Sequence, residues 1–162
     1  MGTVAFDESS DIVYNVNMKA DYLILADRAE AVNGKLYMVG GGWDRVAVAG
    51  LPGPADFDVA AGVLVGYNET NQPHRLELVL EDEDNETVLG PFATQFELGR
   101  PPGMKQGQSQ RFQLVLRGPF PLPRVGGYHW VLVLDDERTL TTNFWLDTVT
   151  LPKVGPASAQ SS

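Results

Sequence analysis

Apolar and polar side chains alternate with a period of two wherever a pattern can be read along this chain. In residues 75–81, Leu76, Leu78 and Leu80 share one face and Arg75, Glu77 and Glu81 the other. Residues 111–117 repeat the arrangement, with Phe112, Leu114 and Leu116 opposite Arg111, Gln113 and Arg117. Residues 92–98 and 139–147 alternate likewise, the second placing Leu140, Thr142, Phe144 and Leu146 against Thr141, Asn143, Trp145 and Asp147. Successive side chains of a strand point to opposite faces, so this spacing predicts half-buried strands. Residues 20–26, 59–67 and 128–134 are apolar on both faces, which predicts central strands or covered edges. Apolar residues at helical spacing are hard to find in any window of about eleven residues.

Turn chemistry separates these segments: Asn33-Gly34, Leu51 to Pro54, Asn68 to Pro73, the acidic run 82–86, Pro101 to Gly103, Pro119 to Gly127, and Asp135 to Arg138. The spacing predicts an all-β fold, an antiparallel β-sandwich of about eight strands. If the chain crosses the sandwich once per strand, loops 49–56, 82–87 and 118–127 share one end. Loops 29–34, 68–74, 98–110 and 135–138 then share the other. Residues 18–152 read as the sandwich domain. Residues 1–17 read as an extension, flexible or adding an edge strand through Asp11-Ile-Val-Tyr-Asn-Val, and 153–162 as a disordered tail of small polar residues.

The run Gly34 to Asp44 takes a strand-like segment into three glycines and Trp43. Glycines after a strand cradle phosphate when a helix N-terminus follows, and here the chain continues as Arg45-Val46-Ala47-Val48. Gly40 to Gly42 are therefore expected to form a bend or bulge that carries Trp43 against a neighbour.

Composition narrows the function classes. A chain of 162 residues can bury roughly 70 % of its unfolded surface and needs no staple. With no cysteine there are no disulfides, thiolate metal sites or cysteine nucleophiles, which suits a reducing, cytoplasmic setting. Residues 1–17 lack the cationic start and apolar core of a secretory signal, and no window approaches the roughly 20 apolar residues of a membrane span. A formal charge of −9, with arginines spread along the second half, argues against nucleic acid and anionic lipid as partners.

The candidate chemistry is sparse. The histidines are His74, in a Pro-flanked loop, and His129, whose face of its strand is shared with Val131 and Val133. Ser109 lacks the glycine spacing of a nucleophile elbow, and neither histidine is assigned a catalytic role. The acidic run makes Asp82, Asp84 and Glu86 candidate ligands for calcium, which takes six to eight oxygens, although a solvated hairpin turn is the favoured reading. Asp135, Asp136 and Glu137, the acids that could complete such a site, are expected at the opposite end. A carboxylate hydrolase would need two acids about 5 to 9 Å apart, Asp82 and Asp135 being the pair to examine. Trp43, Trp145 and Tyr128 are the candidate binding residues. A tryptophan beside Thr141, Asn143 and Asp147 suits either a protein hot spot or the apolar face of a sugar.

Two resemblances add to this. The segment Pro119 to Asp136, with its prolines and Gly126-Gly127-Tyr128, resembles the closing hairpin of bacterial immunoglobulin-like modules, in which such a tyrosine packs at a corner. Met18 to Asp44, through Ala26-Asp27, Gly34-Lys35-Leu36 and Gly40-Gly41-Gly42-Trp43, resembles the opening of an uncharacterised family of small bacterial proteins. That resemblance implies a single β-sandwich domain and carries over no activity. The expectation is a binding or structural module without cofactor that acts on a protein partner or a second copy of itself. Calcium- or carbohydrate-binding is the rival, and a hydrolase the third reading.

Overall fold

A computed structural model describes residues 18–150 and Gly155, and these are nearly all strand. The readings of 1–17 as an extension and of the tail beyond Pro152 fall on residues outside that set, Gly155 aside. Eleven strands occur among the described residues: β1 (Lys19–Val32), β2 (Lys35–Gly41), β3 (Arg45–Val48), β4 (Gly53–Ala55), β5 (Asp58–Gly66), β6 (His74–Asp82), β7 (Thr87–Phe96), β8 (Ser109–Arg117), β9 (Phe120–Leu122), β10 (Gly126–Leu134) and β11 (Glu137–Thr148). Of the eight longer ones, β6, β7, β8 and β11 carry the alternating segments, β1, β5 and β10 those apolar on both faces, and β2 the strand-like run before the glycines. β3, β4 and β9 have three or four residues each, too few to display a period.

A four-stranded sheet of order β2-β1-β5-β8 faces a five-stranded sheet of order β3-β11-β10-β6-β7, and β4 pairs with β9 as a clip at one end. The molecule is a β-sandwich. The segments apolar on both faces, in β1, β5 and β10, lie inside their sheets as the pattern requires. One pair departs from the antiparallel expectation: β3 runs parallel to β11, Trp145 opposite Arg45 and Leu146 opposite Val46. After Gly42 the chain leaves the first sheet and joins the second alongside β11 in the same direction, which period two cannot reveal.

The core lies between the sheets. Val59, Ala61, Val63, Leu76, Leu78, Leu80, Trp130 and Leu132 are buried within it. Around Phe57, ring centroids lie 5.2 Å away for Trp43, 5.0 Å for Phe120 and 5.4 Å for Phe144. Gly40 to Gly42 do form a bend, with φ of 61° at Gly40 and 84° at Gly42. A side chain at Gly40 would collide with the Asp27 carboxylate, and one at Gly41 with the Met38 sulfur.

The length of β1 overturns one loop placement. β1 is 14 residues long and does not stop where its neighbour β5 begins. Its second half and β2 form a ribbon that folds back over the outer face of its own sheet. Ala26 and Ala29 bury against Ala60 there, with Tyr22, Leu36, Met38 and Val115 packed round them. The Asn33-Gly34 turn therefore reaches the middle of β8 rather than the end expected for loop 29–34. The Tyr22 hydroxyl donates to Gln113 Oε1, and Gln113 Nε2 donates to the Gly34 carbonyl at 2.6 Å. Burial pushes the Tyr22 hydroxyl up to about 12. The cover explains why β5 is buried on both faces.

Candidate functional site

β6 and β10 place the acids and histidines. Asp82 ends β6 opposite Tyr128, while Leu134, one residue before Asp135, lies opposite Leu76 near the other end. Asp82 and Asp135 thus stand at opposite ends of one strand, and the pair required for carboxylate hydrolysis is not assembled.

The acidic run is a hairpin turn tied by its first carboxylate. Asp82 Oδ1 accepts the amides of Asp84 at 2.9 Å and Glu86 at 3.0 Å, and Oδ2 accepts Arg124 Nη2 at 2.9 Å. The Glu86 amide first, with Arg124 and the Asp84 amide, outweighs burial and holds Asp82 below the usual carboxylate range. Both oxygens are engaged and an arginine sits against them. Asp84 and Glu86 add no further bond to this carboxylate, and no group of three or more acids and histidines suited to a metal occurs among the described residues.

At the other end, His74 is buried beneath Phe96, their centroids 5.6 Å apart. Nδ1 lies 2.8 Å from Asp135 Oδ2 and Nε2 2.7 Å from the Glu69 carbonyl. A carboxylate and a carbonyl only accept, so both ring nitrogens must donate and the ring is held as imidazolium. Burial opposes the charge, but the Glu69 carbonyl, the Asp135 carboxylate and the nearby Glu69 carboxylate prevail, and the net shift is upward. A raised histidine pKa stabilises the fold fully below its unfolded value of about 6.5 and is lost as pH rises through the folded value. The stability advantage of the native chain over His74→Gln should therefore shrink as pH rises through the raised folded value, read from urea melts across pH. An advantage that grew with pH would show that the ring is buried neutral.

His129 is a satisfied sheet histidine: its Nε2 donates to Glu81 Oε2 at 2.8 Å. Arg138 binds both oxygens of the same carboxylate, at 2.7 and 2.9 Å. Arg138 foremost, then His129, against the opposing effect of burial, lowers Glu81 to about 2.

The three aromatic candidates do not form one surface. Trp43 points inward onto Phe57 and Phe144, and its Nε1 is buried without a partner among the described residues. Tyr128 is buried, stacked on Phe144 at 5.6 Å, and its hydroxyl donates to the Arg124 carbonyl four residues upstream. Trp145 projects from the opposite face of β11 and is 38 % exposed. It borders a groove of about 420 Å³ with Asp44, Arg45, Glu83, His129 and Asn143, to which Tyr128 contributes from behind.

The most exposed apolar side chains lie elsewhere, on the folded-back ribbon. Tyr37 is 57 % exposed and Val39 70 %, with Val32 beside them. They alternate with Leu36 and Met38, which pack inward, and their cross-strand partners are Glu30 and Arg28. β2 is an edge of its sheet, with no strand on its other side among the described residues. A strand-like apolar run, Leu36 to Val39, was legible in the sequence. Which of the two faces would be covered was not.

A family model described as a family of unknown function, DUF6941, matches residues 21–146, and the chain belongs to that family. No curated protein matches the chain. Among solved structures, an alkylpurine DNA glycosylase from Pseudomonas fluorescens bound to DNA containing an abasic site analog is similar at a TM-score of 0.43 and 9 % identity. The match covers 85 % of this chain and 33 % of that one, so this chain spans about a third of its length.

Proposed function

We propose that this member of the family is a binding module that associates with protein through the open edge of β2, a second copy of the chain being the first partner to test. The observation that carries the reading is the pair Tyr37 and Val39, 57 % and 70 % exposed on an edge strand that is unpaired among the described residues. An edge strand presents unpaired amides and carbonyls that a second strand can satisfy, and alternate side chains then set the register. Natural sheets usually blunt such edges with proline, bulges or charge. β7, one edge of the other sheet, carries Pro91 and a shifted register, whereas β2 has neither and only Lys35 at its start.

Charge supports a protein partner. The chain is −9 overall, but on the ribbon face Arg28 is paired with Asp56 and Glu30 with Arg117, which leaves Lys35 and little net charge to oppose a second copy. The absence of cysteine supports a cytoplasmic setting. The Tyr128 bond to the Arg124 carbonyl supports the immunoglobulin-like reading of the sandwich, since a tyrosine in those domains bonds back to the chain in the same way.

Light scattering from about 1 μM to about 1 mM should show a monomer–dimer equilibrium, and Tyr37→Asp should weaken it by about 2 kcal/mol, roughly 30-fold in Kd. The variant should melt with the native chain, because the side chain is exposed. A native chain that stays monomeric throughout would sink self-association. Association unchanged in Tyr37→Asp would sink this edge as the site.

A further inference from the structure

Trp145 belongs to a different surface, on the far sheet, and its surroundings are those of a ligand site. β11 sends Phe144 and Leu146 into the core and Trp145 outward. The other two tryptophans, Trp43 and Trp130, pack against phenylalanine rings, but no ring and no guanidinium among the described residues stacks on this indole. Hollows flank it on two sides. One is the groove of about 420 Å³, and the other, about 260 Å³, is bounded by Arg45, Val46, Ala47 and Asp147.

The polar groups around the ring are uncommitted. Among the described residues the side chains of Asp44, Arg45, Glu83 and Asn143 make no hydrogen bond or ion pair, although Asp82, Arg124, Glu81 and Arg138 close by are all paired. Glu83 is held over Gly127, where an added side chain would come within 2.7 Å of its Oε1, so glycine there keeps the carboxylate at the rim of the groove. The floor is rigid: Trp145 N donates to the Asp44 carbonyl at 2.8 Å, and Gly127 and Trp145 are direct cross-strand partners.

Charge and polarity then select the ligand. Asp44, Glu83 and Asp147, on a chain of −9, repel an anion. A wholly apolar ligand would strip water from four unpaired polar side chains without replacing their hydrogen bonds. A pyranose offers a C–H face to the indole and hydroxyls that both donate and accept, matching Asn143, Glu83, Asp44 and Arg45. The volume lies within the range of small-molecule sites, about 300–1,000 Å³. We infer that the Trp145 groove binds a neutral pyranose, as a terminal residue or short oligosaccharide, independently of the β2 edge.

The test is amide NMR titration of the full chain with methyl glucoside, methyl galactoside, methyl mannoside, N-acetylglucosamine, cellobiose and maltose. At least one should give saturable shifts centred on residues 127–129 and 143–147 and Glu83, with Kd on the order of 1 mM for a single stacking ring. Trp145→Ala should weaken that binding at least tenfold, Trp145→Phe should recover much of it, and Asn143→Ala should weaken it with the indole intact. The melting temperature of each variant, all at exposed positions, should stay near that of the native chain. Absence of saturable shifts with all six sugars at about 50 mM would overturn the inference, as would binding that Trp145→Ala leaves unchanged.

Discussion

Phe57→Ala is expected to destabilise the protein by about 4 kcal/mol, the upper range for truncating a buried aromatic. Phe57 is wholly buried and sits between β4 and β5, so its backbone belongs to no ladder and the loss is one of packing. Its ring is the hub joining Trp43, Phe120 and Phe144, which come from three separate parts of the chain. Truncation leaves a void bounded by three rings that cannot close without moving β3, β9 and β11. Aromatic pairs of this geometry add about 0.5–1.5 kcal/mol each beyond buried area. The melting temperature should fall by about 10 °C for a domain of this size, and urea titration should give the free energy directly. Phe57→Leu, which refills most of the volume, should restore more than half. A loss below about 1.5 kcal/mol would show that the cluster can collapse and is not the keystone described here.

The second large effect belongs to Asp58. Its carboxylate is 2 % exposed, and Oδ2 accepts the Ala29 amide at 2.9 Å while Oδ1 accepts the Gly118 amide at 3.2 Å. Gly118 keeps a second acceptor in the Phe57 carbonyl, but Ala29 is buried and has no alternative among the described residues. Asp58→Ala should therefore cost about 3 kcal/mol, the range for orphaning a buried donor that had bonded a charged group. The damage should be local as well as global, because Ala29 anchors the folded-back ribbon to β5. Hydrogen exchange should accelerate in residues 26–41 and expose Ala60 and Val115 before the rest of the sandwich opens. Asp58→Asn should cost less, since its carbonyl oxygen can still accept from Ala29. Uniform loss of protection across both sheets would mean that the carboxylate supports the whole domain and not the ribbon.

Most of the fold was legible because its signal is local. The alternation at Leu76, Leu78 and Leu80 locates a strand and its buried face without reference to any partner, and the same holds for β8 and β11. Asn33-Gly34 and Asp135-Asp136, whose paired positive φ values suit tight hairpins, announced their turns by composition alone. The candidate site was less legible. Trp43 and Trp145 look equivalent in a list of tryptophans, yet one faces Phe57 and the other faces water. Tyr37 and Val39 were hidden because an edge strand folded over its own sheet exposes the face that an ordinary edge would share with the core.

What the sequence determined by itself is the strand content, the inward face of each long strand and the bend at Gly40 to Gly42, because each depends on spacing along the backbone or on conformations that glycine adopts freely. What only the tertiary structure decided is which surfaces remain uncovered: the fold of β1 and β2 across β5, the parallel entry of β3 beside β11, and the isolation of the Trp145 ring. The physical reason is that exposure is not carried by a residue or by its neighbours in the chain. It is set by which distant segment packs on top.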